Sequence, residues 1–547
     1  MNNPSWWRDA VIYQIYPRSF ADSDNDGMGD VKGIISRLDY LAELNIDALW
    51  ISPFYASPLH DGGYDVADYR TIDPRLGDVN QVSELLDQAH ARGLKVFFDL
   101  VPNHTSIEHA WFQEVLSDPP GSPSWDRYMI REGKGPDRQL PPNNWTSVFH
   151  GAGWTQLEHD GKPTGYWYLH IFDTSQPDLN WENPEVIEEF HSILRFWFDL
   201  GVDGFRIDVA HGLRKAPGLP DVVLDPSNPD FDLLRPYWDQ DSVHEVYRGW
   251  RAIADEYSDK RVFCGEAWVA TEERLSLYLR SDELHTCFNF NYLQAGWDAE
   301  KMHEVIDQTI ATHAKVGAPP TWVLSNHDVI RHRTRLAPTV DGQPDLDRGL
   351  ERARAATLFA LSLPGSAYIY QGEELGLEEV TDLAPEVRQD PAWLRSGGTD
   401  GTRDGCRVPL PWTNDSASFG FNTGAESWLP QPSHWAALTV STQEQDPDST
   451  LNFYRRTLAV RRVETSLGEG PLTWLETGTP EVLAFQRGEL QPAVVSVINL
   501  GEDLMHLPAH FGTEVLATSG DAVAVLDTSD GQHVVIGGET AVWLRAK

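Results

Sequence analysis

Gly204-Phe205-Arg206-Ile207-Asp208 is an apolar run that ends on a carboxylate. Two other stretches end the same way: Val262-Phe263-Cys264-Gly265-Glu266 and Trp322-Val323-Leu324-Ser325-Asn326-His327-Asp328. A carboxylate closing a hydrophobic strand is costly unless it meets water, a partner or a ligand. Three such endings predict that several strands deliver acids to one mouth, as the strands of a (β/α)₈ barrel do.

Working outward, apolar runs and helical patterns alternate. Residues 10–16, 46–51, 94–100, 204–208, 262–264, 286–290, 322–324 and 367–370 read as strands. Residues 31–44, 79–91 and 184–200 read as helices, the last two followed by stop signals at Gly93 and Gly201. Strict alternation predicts a parallel sheet with both faces covered, and eight strands predict its closure.

Two regions break the alternation. Residues 105–173 are rich in Pro, Gly, Trp and Asn and too long for a loop, so they are expected to form a small inserted domain over the barrel mouth. From residue 463 short strand-like runs alternate with Gly, Asp and Thr turns, as in an antiparallel β-sandwich. The expected division is therefore barrel 1–104, insert 105–173, barrel 174–462 and sandwich 463–547. Residues 372–448 read as polar loops around the site.

The chain has 547 residues and a net charge of −40, which disfavours nucleic acid and anionic membrane as partners. Residues 1–7 have neither a basic start nor an apolar core, so no signal peptide is expected. No apolar run is long enough to span a bilayer. Cys264, Cys287 and Cys406 are odd in number and fit no zinc spacing, so they read as reduced thiols of a cytoplasmic protein. The 21 tryptophans are mostly packing residues, but some could serve as flat platforms for sugar rings.

Arg206 and Asp208 share one side of a strand. The cation favours an ionised acid, suited to a nucleophile, though an ordinary strand-end ion pair has the same pattern. Glu266 lies between small residues and Trp268. An apolar indole wall would keep it protonated as a general acid; a helix-start acid or a solvated loop acid is the other reading. Asn103-His104 and Asn326-His327-Asp328 follow strands and suit hydrogen bonding to a polyhydroxylated ligand, or a structural role. Asp22, Asp24, Asp26, Met28 and Asp30 surround a tight Gly turn, a pattern for Ca²⁺ (or Mg²⁺); Gly33 stands where an EF-hand needs Glu. A metal-free Asx-turn loop is the alternative.

Taken in order, Asp99…Asn103-His104, Gly204…Asp208, Gly265-Glu266 and Asn326-His327-Asp328 resemble the four blocks of glycoside hydrolase family 13, the α-amylase superfamily. Within it the chain is similar to exo-acting α-glucosidases and oligo-1,6-glucosidases over nearly its whole length. The resemblance implies Asp208 as nucleophile, Glu266 as acid/base and Asp328 as transition-state clamp. It implies Tyr64, Asp65, His104, Arg206 and His327 around the terminal glucose, and Arg407 closing the pocket. Arg407 is followed by Val-Pro-Leu where the usual form has Thr-Pro-Met. Val209, after the nucleophile, goes in similar enzymes with tolerance of α-1,6 linkages.

The implied reaction is retaining hydrolysis of short α-1,4 and α-1,6 gluco-oligosaccharides, without a catalytic cofactor and with a structural cation. The expected partner is a small oligosaccharide, and the chain a monomer or homo-oligomer. A transglucosylase or sucrose/trehalose-type isomerase would use the same residues. An endo-acting amylase would need a longer groove. Binding subunits like transporter heavy chains lack the intact acids and carry a membrane span.

Overall fold

The computed structural model describes residues 5–546 except 224, 226, 229, 402, 425, 489–492 and 529–530. Residues 1–4 and 547, the outer ends of the first and last expected domains, lie outside the described residues.

Eight parallel strands form one sheet: Val11–Ile15, Ala48–Ile51, Lys95–Leu100, Gly204–Ile207, Val262–Gly265, Thr286–Cys287, Thr321–Val323 and Ser366–Tyr370. Numbered one to eight along the chain, they run 6-5-4-3-2-1-8-7 across the sheet. The remaining gap, between the sixth and seventh, is bridged where Asn289 N–H donates to Thr321 O (3.1 Å). All eight expected strands are present.

Two local expectations fail. Residues 31–44 are two helices, Val31–Ser36 and Leu38–Glu43, separated at Arg37, whose backbone (φ −113°, ψ 9°) leaves the helical region. Its guanidinium lies over the Trp412 ring at 4.3 Å. The sixth strand stops at Cys287, short of residue 290. The Asn289 side chain there accepts from Tyr292 N–H and starts the helix Phe290–Gln294.

Alternate side chains of a strand face alternate sides. Facing into the barrel, Ile12, Trp50, Phe97, Cys264, Val323 and Tyr368 share one apolar cluster. The third strand's inward row then passes from Phe97 to Asp99, and the fourth strand's from Gly204 to Arg206 to Asp208. Gly204 is required: a Cβ there would stand 2.3 Å from the Phe97 ring and from Val262 O. The inward rows are thus apolar at one end and charged at the C-terminal end.

Between strands three and four the chain forms a helix, Ala110–Ser117, and a three-stranded antiparallel sheet of Ile130–Glu132, Trp154–His159 and Lys162–Leu169. This insert packs partly within itself, Phe112 against Tyr128 and Tyr168 with ring centroids 5.1 and 5.2 Å apart, and partly on the barrel. Its Met129, Trp145, Trp154, Leu169 and Ile171 cluster with Val209, Val222, Tyr237 and Trp238, from the segment after strand four.

After the helix Thr450–Val463 come a five-stranded and a three-stranded sheet, both antiparallel. Side chains from both, such as Val495, Val542, Val534 and Ile536, meet in one core. The sandwich docks on the barrel through Trp543 Nε1 to Leu358 O (3.1 Å) and Arg487 Nη1 to Ser362 O (2.5 Å). Among the described residues, no helix is long and apolar enough to cross a membrane.

Candidate active site

Two large cavities compete for attention. One, of about 990 Å³, opens at the N-terminal ends of the strands near Trp6, Asp47, His90, Lys95 and Arg461. None of the expected residues lines it. The other, of about 740 Å³, opens at the C-terminal ends, where barrels of this kind carry their chemistry. Asp208, Glu266 and Asp328 line it together, with Tyr64, His104 and Val209.

Arg206 organises the floor. One guanidinium nitrogen donates to Asp208 Oδ1 (2.7 Å) and Asp99 Oδ1 (2.9 Å); another lies 2.7 Å from Glu266 Oε2. Three carboxylates therefore share one cation. Asp99 is fully buried and also accepts from Tyr64 Oη (2.9 Å) and Trp50 Nε1 (3.2 Å). Burial pushes Asp99 up to about 6 against the pull of Arg206. Burial likewise raises Asp208 well above the usual carboxylate range, opposed by Arg206 and reinforced by Glu266 and Asp99. The pairing of Arg206 with Asp208 is as expected, but the acids outnumber the cation, so the cluster favours keeping a proton.

Glu266 also accepts from Val209 N–H (3.0 Å) and Trp268 Nε1 (3.3 Å). The indole thus gives Glu266 a donor rather than the expected apolar wall. It is itself held flat against Phe290, with ring centroids 3.9 Å apart. Val209 has φ +46°, a strained conformation for a β-branched residue that costs about 1–3 kcal/mol. Its carbonyl accepts from Gly212 N–H (2.9 Å), so both sides of the strained peptide are bonded.

Asp328 is opposite in character. Burial works against its charge, but the guanidinium groups of Arg407 and Arg403 overcome it and hold the carboxyl well below the usual range. Arg407 donates to Asp328 Oδ1 (2.7 Å) and to His327 O (2.8 Å). Arg407 lies behind Asp328 and does not line the cavity. Arg403, four residues earlier, does, bonding Asp61 Oδ1 (2.9 Å), Asp390 Oδ1 (2.8 Å) and Asp328 Oδ1 (3.3 Å).

Asp65, expected at the sugar, is wholly buried away from it. Its oxygens accept from Ser57 Oγ, His60 N–H and Asp61 N–H at 2.8–3.1 Å and so close the turn. Asp61 of the same turn faces the cavity instead. His327 stacks on Tyr64 (5.2 Å, 5°) beneath the wall, and burial keeps it neutral. Buried His104, also kept neutral, contacts Gln176 Nε2 and Tyr64 O at 3.1 Å.

Asp61 and Arg403 were not singled out from sequence; nor was the wall from residues 232–238, which brings Asp232, Arg235, Tyr237 and Trp238 to the cavity. The only available signal was an acid and an arginine near ones already chosen. The rim joins the insert to the loop after strand eight. His150 Nε2 lies 2.8 Å from Asp400, and Arg395 donates to Phe149 O (3.1 Å), to His150 O (2.6 Å) and to Asp173 (3.3 Å).

In the 22–30 loop, oxygens of Asp22, Asp24 and Asp30 lie within 4.8 Å of one another. Three hard oxygen donors fit Ca²⁺ or Mg²⁺. Asp26 falls outside this group of acids, and its Oδ1 accepts from Met28 N–H (2.8 Å).

A family model described as alpha amylase, catalytic domain, matches residues 14–470. The chain belongs to the α-amylase family. This α-amylase-family chain is 37% identical to a probable alpha-glucosidase of Rhizobium meliloti (strain 1021), covering 91% of this chain and 90% of that one. It is 34% identical to an oligo-1,6-glucosidase of Parageobacillus thermoglucosidasius, covering 92% of each. Its fold matches the crystal structure of the alpha-glucosyl transfer enzyme XgtA with a TM-score of 0.86, at 36% identity and 99% coverage of both. As a member of this family it is a glycoside hydrolase.

Proposed function

We propose that the protein is a retaining, exo-acting α-glucosidase that releases α-glucose from the non-reducing end of short α-1,4 and α-1,6 gluco-oligosaccharides. The observation that carries this reading is the holding of Asp208 and Glu266 on one guanidinium inside a cavity whose wall carries the Asp61–Arg403 pair. Two carboxylates so close suit a nucleophile and an acid/base in a retaining pair. The ion pair and the joined rim suit a pocket for a chain end rather than a groove for an internal bond. Both cavity-lining arginines are already engaged, Arg403 as above and Arg235 by Asp232 (3.1 Å), so a neutral sugar fits better than a phosphorylated one.

In the first step Glu266 gives its proton to the glycosidic oxygen as Asp208 attacks the anomeric carbon. The C–O bond to the leaving sugar breaks and a β-glucosyl–Asp208 ester forms. Glu266, now ionised, takes a proton from water. The hydroxide oxygen displaces Asp208 from the opposite face, so α-glucose leaves and both carboxyls are restored. Asp328, held ionised, receives ring hydroxyls and favours the positively charged transition state. A second sugar in place of water gives transfer, a reading supported by the similarity to the α-glucosyl transfer enzyme.

Proton NMR of maltose and isomaltose digests tests the reading. The α-anomer should appear first and β-glucose only by mutarotation; β-glucose first, or no turnover of either sugar, would refute it.

The three buried free thiols support a reducing compartment, such as the cytoplasm. Asp22, Asp24 and Asp30 would hold a structural cation remote from the reaction. Saturating Ca²⁺ at about 100 times its Kd should add about 2.7 kcal/mol of stability, read as a Tm about 2 °C higher than in EDTA, with kcat nearly equal at 25 °C. Identical melting curves would leave the loop metal-free.

A further inference from the structure

Three buried side chains from three segments meet behind the cavity wall. Asn103 follows strand three, Asp178 lies where the insert returns to the barrel, and Lys215 is on the segment after strand four. The Lys215 ammonium has three N–H groups and meets three acceptors: Asp178 Oδ2 (2.8 Å), Asn103 Oδ1 (3.0 Å) and Gly212 O. A lysine has no acceptor to offer, so whatever faces its Nζ must accept.

That requirement orients an amide and then a ring. Asn103 turns its carbonyl oxygen to Lys215, so its Nδ2 faces Asp178 Oδ2 (3.2 Å) and His104 Nδ1 (3.1 Å). A carboxylate only accepts, so Asp178 independently demands the same orientation. With an N–H aimed at it, His104 Nδ1 accepts. Burial keeps this ring neutral, and a neutral imidazole carries one proton, which falls to Nε2. Tyr64 O stands 3.1 Å from Nε2 to receive it. Gln176 Nε2 is as near, at 3.1 Å, but its amide is already oriented by Asp61 Oδ2 (3.1 Å) and Asp173 N–H (2.9 Å). The opposite tautomer would accept from Gln176, lose Tyr64 and set two N–H groups head to head at Nδ1. It makes one bond where the first makes two.

We infer that Lys215 is a positioning residue: by holding the Asn103 amide it keeps His104 protonated at Nε2, and so ties that ring to the main chain of Tyr64. Tyr64 is the wall residue whose hydroxyl donates to Asp99 and whose ring stacks on His327. Lys215 itself does not line the cavity. The tautomer belongs to the folded chain alone; its effect on turnover rests on the α-glucosidase reading above.

Neutron diffraction from the unaltered protein, free of sugar, reads the proton directly and needs no variant to fold. His104 should carry it on Nε2; a proton on Nδ1, or on both nitrogens in partial occupancy, overturns the inference. Lys215→Met alone would leave Asp178 buried without its cation, so the charges are removed together in Asp178→Asn/Lys215→Met. There Ile171 N–H, which donates to Asp178 Oδ1 (2.9 Å), claims the oxygen of the amide introduced at position 178. The NH₂ of that amide then faces Asn103, which must turn its own oxygen towards it and towards His104. ¹⁵N NMR of histidine-labelled protein should show the His104 proton moved to Nδ1. kcat/KM for maltose should fall about tenfold, the size of one hydrogen bond between neutral groups. An impaired double variant with the proton still on Nε2 makes the role one of packing and overturns the inference. So does a moved proton with kcat/KM unchanged. An unaltered enzyme inactive on maltose and isomaltose refutes the glucosidase reading while the diffraction result on the tautomer stands.

Discussion

Asp208→Asn is expected to lower kcat by at least about 10⁴-fold while the protein melts at the same temperature or higher. Loss of a nucleophile leaves only binding and electrostatic effects, and such losses commonly reach that size or more. The second half of the expectation comes from burial. Asp208 shares Arg206 with Asp99 and Glu266, and its carboxyl is raised because its charge is buried among other acids. An amide of the same shape removes a charge that the fold does not favour. Calorimetry beside kinetics separates the two effects. Substantial residual turnover would remove Asp208 from the nucleophile's role, and a marked fall in Tm would mean its charge supports the fold.

Arg206→Met should have the opposite balance, destabilising the protein by about 3–5 kcal/mol and abolishing activity. Without the guanidinium, Asp99, Asp208 and Glu266 face one another in a buried floor with no cation. The loss should depend on pH in a defined direction. Asp99 and Asp208 already titrate above their unfolded values, Asp99 at about 6, and removing the cation raises them further. A carboxyl with a raised folded pKa binds more protons folded than unfolded. Stability therefore falls as pH rises from the unfolded value, near 4, through the folded one. The variant should be nearest to wild type at about pH 4–5 and furthest from it at pH 8. Denaturant midpoints across that range check it; a difference independent of pH would mean Arg206 acts through packing over Trp50 and Tyr64 rather than through charge.

The strands were legible because burial on both faces writes itself as an unbroken apolar run. Asp208, Glu266 and Asp328 were legible because each interrupts such a run where a strand ends. Loops carry no comparable signal. Asp61 and Asp65 lie four residues apart in one turn, and only the folded backbone shows that Asp65 closes the turn while Asp61 faces the cavity. Arg403 and Arg407 repeat the lesson: both touch Asp328, but one lines the cavity and the other stands behind it. Asp99 was visible as a motif residue, yet its part as third acid on Arg206 depends on register between strands three and four, where Asp99 pairs with Arg206. The Asx-rich 22–30 turn announced its acids, but its backbone N–H groups compete for them, which is why Asp26 turns to Met28.

Met129, Trp145 and Trp154 of the insert interlock with Val222, Tyr237 and Trp238 of the segment after strand four, whereas the reacting acids project from the sheet itself. Bond-breaking and diet are thereby built on separate parts. A chimera that borrows one of these two flaps from a relative inherits a mismatched seam, and one that borrows both together should change what is eaten without disturbing how it is cut.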